Sequence, residues 1–161
     1  MTALRRRWRK RRGEALAQPR ETLAELRALS PASNVLVHLV PGAFEIPLLV
    51  REAAAKGKVD AIVALGVILQ GETAHAQHLG QAVTQALQQI SLEHSVPVIH
   101  AVLSLQSEEQ ARKRCLEGEL NRGTEAARAA FAGFAAFAFG RSTALRTVRR
   151  AAYISTRSLT G

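Results

Sequence analysis

The sequence predicts an α/β fold in which a short parallel sheet is covered by helices on both faces. Three apolar runs of strand length occur at residues 34–40, 61–69 and 97–103, and segments with helical spacing separate them. Strands that alternate with helices favour right-handed crossovers and a parallel sheet. Because ligands of such sheets bind beyond the carboxyl ends of the strands, we expect a site in the loops at 41–45, 69–75 and 103–107.

The run at 61–69 (AIVALGVIL) is almost continuously apolar, which is typical of a central strand buried on both faces. The run at 34–40 (NVLVHLV) is also predicted to be a buried strand, which ends at the Pro41-Gly42 turn. Thr73 is the predicted N-cap of the helix that follows the central strand. In all, helices are predicted at 43–56, 74–94, 107–119 and 121–139.

Both ends of the chain are basic, whereas its body is mildly acidic. Residues 1–12 contain seven Arg and Lys residues and residues 141–161 contain five, with no acidic residue in either segment. Such ends attract polyanions non-specifically, and solvated tails without a dedicated partner are the alternative. We therefore divide the chain into an atypical basic N-terminal segment and helix (1–33), an α/β domain (34–139) and a basic C-terminal tail (140–161).

Cys115 is the single cysteine, so an internal disulfide is excluded and no cysteine cluster is present for a metal. We expect it to be a packed, unreactive thiol. The basic N-terminus is not followed by the apolar stretch of a signal peptide, and the uncharged segment 129–140 is too short to cross a bilayer. These features favour a cytoplasmic protein without a membrane partner.

Two of the three loops contain residues that suit a ligand. In PGAFEIP (41–47), a glycine and a helix start allow close approach to backbone donors. In GETAH (71–75), a glycine, a hydroxyl and a helix start have the parts of an anion site, and His75 can transfer protons near neutral pH. His78 lies on the same helix face as His75, but without a third ligand we expect no metal. A basic patch could pair with a phosphate or could be a solvated helix face; it consists of Arg112, Lys113, Arg114 and Arg122.

Four segments in this order resemble the lumazine synthase family, over about residues 34–139. They are PGAFEIP at 41–47, ALGVILQGETAH at 64–75, SLEHSVPVI at 91–99 and EEQARKRCLEGELNRGTEAA at 108–127. The resemblance implies a flavodoxin-like three-layer sandwich that forms pentamers, twelve of which often build an icosahedral capsid. It further implies a transferase of riboflavin biosynthesis that condenses 5-amino-6-ribitylaminouracil with 3,4-dihydroxy-2-butanone 4-phosphate, without a metal or organic cofactor.

Matching positions give each site residue an implied role. His75 corresponds to the family's proton-transfer histidine, and Arg114 to the arginine that binds the phosphate, assisted by Glu72 and Thr73. Arg122 falls where the family often has lysine. The ribitylaminouracil would be bound by the first loop and by the end of the central strand, through Ala43, Phe44, Glu45, Val67, Ile68 and Leu69.

Three departures from the family pattern affect the expected site. His100 replaces a phenylalanine in the wall that a neighbouring subunit contributes. Ala76-Gln77 replaces an aromatic and acidic pair that follows the catalytic histidine. The N-terminal MTALRRRWRKRR replaces an apolar strand, which leaves one edge of the sheet bare and Trp8 as the candidate for a stacking aromatic residue. The alternative is therefore a non-catalytic shell or scaffold protein of the same fold, whose basic ends bind polyanions.

Overall fold

A computed structural model describes residues 17–29, 34–115, 121–139 and 150–156. The helices are α1 (Ala17–Leu29), α2 (Ile46–Ala55), α3 (His75–His94), α4 (Glu108–Cys115) and α5 (Arg122–Phe139), and a 3₁₀ turn at Ala43–Glu45 precedes α2. The strands are β1 (Asn34–Val40), β2 (Ala61–Leu69), β3 (Val98–Leu105) and β4 (Arg150–Thr156). None of the helices within these ranges is long and apolar enough to span a membrane.

The four strands form one parallel sheet in the order β1-β4-β2-β3. Helices α2 and α3 pack on one face of the sheet, and α1 and α5 pack on the other. Connections that run in opposite directions across the sheet thus use opposite faces, as right-handed crossovers require. This arrangement confirms the predicted α/β class, in which helices flank a short parallel sheet.

Strand β2 is the centre of the protein, as its apolar run predicts. Every residue from Ala61 to Ile68 is buried. Because successive side chains of a strand point to opposite faces, Ile62 and Ala64 pack under α2 and α3, whereas Val63 and Leu65 pack under α1 and α5. Both faces of this strand are covered, which is why it lacks the alternation of polar and apolar residues that a half-buried strand shows.

The prediction that residues 34–40 form a buried strand was wrong about burial. The strand forms, but Leu36 and Val37 are each 45% exposed, Leu39 is also exposed, and Val40 is buried. The physical reason is position, because among the described strands β1 is an outer strand with β4 on one side only. An apolar run therefore predicted the strand correctly without showing what covers it.

Strand β4 lies in the segment for which the sequence predicted only a basic tail. It is an internal strand, paired with β1 along seven residues and with β2 along five. Ala152 and Ile154 are fully buried in the cluster beneath α2 and α3. The sequence predicts three strands, and residues 150–156 add a fourth strand between β1 and β2.

Helix α3 lies close to β3 near the carboxyl end of the sheet. A Cβ atom added to Gly80 would come 2.6 Å from Ser104 Oγ. Such a distance is too short for a carbon and an oxygen in contact, so the absence of a side chain at Gly80 permits the close approach of α3 to the sheet.

Candidate functional site

Two of the predicted loops meet at the carboxyl edge of the sheet. The Ala43–Glu45 turn contacts both β2 and α3. Ala43 and Ala76 are each buried in the same cluster, which fixes the turn next to the first residues of α3. The small side chain of Ala76, at a position where an aromatic residue was expected, is therefore packed in the core and holds the start of the helix in place.

The first loop presents an aromatic ring and a carboxylate to solvent. Phe44 is 68% exposed, although it belongs to an ordered turn whose neighbour Ala43 is buried. The Glu45 carboxylate folds back over the preceding turn, since a Cβ atom added to Gly42 would lie 3.1 Å from Glu45 Oε2. An exposed ring beside an anionic acceptor suits a ligand that has both a flat ring and hydroxyl groups.

Alternate residues of β2 direct their main-chain groups toward different neighbouring strands. The N–H of Ile62 donates to Pro97 O at 2.9 Å, and the N–H of Gln70 donates to Leu105 O at 2.8 Å. The even-numbered residues of β2 therefore direct their main-chain groups toward β3, and the odd-numbered residues direct theirs toward β4.

Pairing between β2 and β4 ends at Leu65, which is in register with Ser155. The main-chain groups of Val67 and Leu69 point to the same side as those of Leu65, beyond this last pair. The side chains of Val67 and Ile68 are buried on opposite faces of the sheet, with 6% and 3% exposed. Among the described residues, the main-chain groups of Val67 and Leu69 therefore have no strand partner on the β4 side, whereas Ile68 is paired with Ser104 of β3.

Helix α3 begins at His75, one residue later than the sequence predicts, and its N-cap residue is Ala74. Ala74 makes no side-chain cap hydrogen bond. The predicted cap residue, Thr73, accepts a long hydrogen bond of 3.4 Å from the N–H of His75. Glu72, Thr73 and His75 are all exposed at this edge. The N–H groups of the first turn, with the partial positive charge of the helix end, are therefore accessible to an anion.

Arg114 is held beside the end of β2 by its neighbours on α4. Ala111 and Cys115 are buried against Val67, and Leu69 packs on the same cluster. Because residues three and four apart share a helix face, Arg114 lies on the side of α4 nearest to Ala111. It is half-buried and makes no ion pair or hydrogen bond within the described part of the chain.

The neighbouring cations of the basic patch are engaged elsewhere. Lys113 Nζ lies 2.9 Å from Glu109 Oε1, and Arg122 is paired with Glu125. Arg122, which the sequence included among the groups able to pair with a phosphate, is thus already neutralised within its own helix. Of these basic residues, Arg114 is the one whose guanidinium can accept a ligand anion without breaking an ion pair that the structure shows.

The joint between α4 and α5 is fixed by a buried asparagine. Asn121 Oδ1 accepts hydrogen bonds from the N–H groups of Gly123, at 2.8 Å, and Thr124, at 3.4 Å. Its Nδ2 donates to Cys115 O at 3.2 Å. One side chain therefore caps the start of α5 and holds the end of the helix that carries Arg114.

His100 is not brought together with the other site residues. It is in register with Ala64, five residues before Leu69, so it lies about 16 Å from the end of β2 along the strand direction. Its Nε2 lies 2.8 Å from Thr84 Oγ1, and its Nδ1 accepts the N–H of Val102 at 3.1 Å. Burial lowers the pKa of this imidazole. Within one subunit His100 belongs to the outer side of the sheet, where α3 and β3 meet.

Sequence reasoning missed two features of this region. The partner of His100, Thr84, lies 16 residues earlier on α3, and nothing in its surroundings in the sequence marks it. The main-chain edge of β2 depends on the register with β4, which local sequence does not contain. Trp8, the candidate stacking residue, lies outside the described residues.

Fold and site together define a class of protein: an α/β protein that has an exposed helix start and the Arg114 guanidinium at the carboxyl edge of its parallel sheet. The sequence model of the 6,7-dimethyl-8-ribityllumazine synthase family matches residues 7–136. The chain therefore belongs to the 6,7-dimethyl-8-ribityllumazine synthase family. The matched range includes Trp8 and ends before β4 begins.

Proposed function

We propose that this protein condenses 5-amino-6-ribitylaminouracil with 3,4-dihydroxy-2-butanone 4-phosphate to 6,7-dimethyl-8-ribityllumazine, in riboflavin biosynthesis. The observation that carries the proposal is the meeting of Phe44 and Glu45 with the start of α3 at one edge of the sheet. Membership of the family supports the same activity.

The residues at this edge divide into two groups that suit the two substrates. Phe44 would stack on the pyrimidine, Glu45 would accept hydrogen bonds from the ribityl hydroxyls, and Val67 and Leu69 would bind the ring through their main chains. The start of α3, with Glu72 and Thr73, and the guanidinium of Arg114 would bind the phosphate. This arrangement would place the amine of one substrate near the carbonyl of the other.

His75 is the group that would move protons in this reaction. The pyrimidine amine attacks the ketone, an imine forms with loss of water, the phosphate leaves, and ring closure releases a second water. Both steps that expel water and the departure of phosphate need a proton donor or acceptor near neutral pH, which an imidazole provides. His75 is exposed at the first residue of α3, next to the proposed phosphate position.

We further propose that the complete site lies between subunits of a homo-oligomer, a pentamer or an icosahedral assembly of pentamers. His100 is too far from His75 to join the site of its own subunit, but it lies on β3, which is an outer strand among the described strands. A second copy placed against the site could therefore contribute His100 to its wall. An active monomer would contradict this part of the proposal.

The test is product formation by the purified protein, followed by the absorbance and fluorescence of the lumazine with both substrates supplied. The expected result is a rate clearly above the uncatalysed background, and in Arg114→Ala a rate that falls when the butanone phosphate is supplied below its KM. No product from a folded and assembled protein would contradict the proposal. It would favour instead a non-catalytic shell or scaffold protein, for which the basic segments 1–12 and 141–161 would be tested for polyanion binding.

A further inference from the structure

Strand β4 has an unusual combination of properties. It lies wholly outside residues 7–136, the part of the chain that the family model matches. Yet it occupies an internal position of the sheet, and its residues Ala152 and Ile154 are fully buried. A segment that the family pattern does not cover therefore completes the core on which the proposed site is built.

The proposed site has two walls, the Pro41–Glu45 loop that follows β1 and the end of β2 from Val67 to Leu69. These walls are joined through β4. Asn34 to Val40 of β1 pair with Arg150 to Thr156, and Ala61 to Leu65 of β2 pair with Ala151 to Ser155. Among the described strands, β1 and β2 do not pair with each other. The spacing between the turn that follows β1 and the end of β2 is thus set by the strand between them.

The carboxyl end of β4 also lies at the bottom of the site. Thr156 is in register with Val40, the last residue of β1, and Ser155 is in register with Leu65, four residues before β2 ends. Beyond this point, among the described residues, β1 and β2 are separated by two strand spacings, about 10 Å, a width that a planar heterocycle matches. The gap is bounded by the Pro41–Glu45 loop on one side and by Val67 to Leu69 on the other.

We propose that the carboxyl end of β4 is the floor of the pocket for the aminopyrimidine ring, and that β4 holds the two walls of this pocket at their working separation. The proposal rests on the function proposed above, because it names the ligand of that same site. It assigns a binding role to a segment for which the family match predicts none.

The first test asks whether β4 is a stable part of the folded chain, and it does not depend on activity. A protease site is inserted between α5 and β4, within residues 140–149, and the full folded protein is cleaved and passed over a sizing column. We expect the C-terminal fragment to remain bound. Ala152→Asp should release it, because a carboxylate would be buried in the core, whereas Ala82→Asp on the exposed side of α3 should not. Release of the unsubstituted fragment would overturn the proposal.

The second test asks whether the end of β4 contacts the ligand. Amide exchange of the full protein is compared with 6,7-dimethyl-8-ribityllumazine, with inorganic phosphate and with neither. At about 100 times its Kd, the lumazine should slow exchange up to about 100-fold in segments 65–69 and 152–156, while phosphate alone should protect the start of α3 and leave β4 unchanged. Protection of 65–69 without protection of 152–156 would overturn the proposal alone, whereas no binding of the lumazine would overturn the proposed function as well.

Discussion

Thr84 Oγ1 and His100 Nε2 lie 2.8 Å apart, and their other contacts decide which of them donates. The hydroxyl of Thr84 donates its proton to Gly80 O at 2.8 Å, so it can only accept from the imidazole. Nδ1 of His100 already accepts the N–H of Val102. The hydrogen-bond network therefore assigns a neutral imidazole protonated on Nε2, and a second proton on Nδ1 would break the bond to Val102.

This assignment predicts that acid destabilises the protein through His100. The pKa of the imidazole is lowered by burial from the ordinary value of 6.5, so below pH 6.5 the unfolded chain binds a proton that the folded chain does not. The free energy of unfolding that the neutral imidazole contributes is fully present above pH 6.5. It is lost as the pH falls from 6.5 toward the lower pKa of His100 in the folded protein. The melting temperature measured against pH should fall less steeply below pH 6.5 in His100→Phe than in the wild type.

The control for this experiment is His38→Gln, which removes an exposed histidine from β1. Its melting temperature should follow the wild-type pH dependence. Identical slopes for His100→Phe and the wild type below pH 6.5 would show that the imidazole titrates as freely in the folded protein as in the unfolded chain.

How far the sequence predicts this fold is best judged from three strands. The runs at 61–69 and 34–40 look alike as sequences, but among the described strands β2 is internal and covered on both faces, whereas β1 is an outer strand. Burial depends on such neighbours, which periodicity does not record. β4 was not predicted at all, since RAAYIST lies in a basic segment and forms a strand by pairing with β1 and β2, which are distant in sequence.

The sequence predicted which loops lie close together at the candidate site. The PGAFE and GETAH segments do meet, because the carboxyl ends of parallel strands share one edge. The accessibility of each residue was not predictable, since Val67 and Ile68, which the sequence assigns to the substrate-binding end of β2, have buried side chains. The pairing of Arg122 with Glu125, in contrast to Arg114, which has no ion pair within the described residues, also requires coordinates.

The role of His75 predicts a loss of turnover with little change in folding. Since the side chain is exposed, His75→Ala should keep the wild-type melting temperature, and since general acid-base catalysis contributes about 100-fold or more, kcat should fall by at least that factor. The matched control is His78→Ala, an exposed histidine one turn further along α3. Equal kcat values for the two variants in a steady-state assay would remove His75 from the mechanism.

Arg114 is expected to act on binding more than on turnover. Loss of a charge-assisted contact of about 1.5–3 kcal/mol should raise KM for the butanone phosphate by about 10-fold to 100-fold in Arg114→Ala, while KM for the pyrimidine changes little. Arg112→Ala, on the exposed side of the same helix, should leave both constants near wild type. A similar rise in KM for both substrates would indicate a distorted site rather than a lost phosphate contact.

The exposed ring of Phe44 should matter to the ligand and not to the fold. Stacking is worth about 0.5–1.5 kcal/mol beyond the area buried, so Phe44→Ala should weaken binding of the lumazine at least about threefold in a fluorescence titration. Leu48→Ala, which truncates another exposed apolar side chain in the adjoining helix, provides the comparison. If both variants bind the lumazine as the wild type does, Phe44 does not face the pyrimidine.

The buried Asn121 gives a stability prediction that is independent of catalysis. Asn121→Ala removes the N-cap of α5, which costs about 1 kcal/mol, and also leaves Cys115 O without the donor it has at 3.2 Å. Asn121→Ser should recover most of the cap but not the contact with Cys115, because its side chain is shorter. Denaturant unfolding should therefore rank the wild type above the serine variant and the serine variant above the alanine variant. Equal stability of the serine and alanine variants would show that the contact with α4, rather than the cap, is what Asn121 contributes.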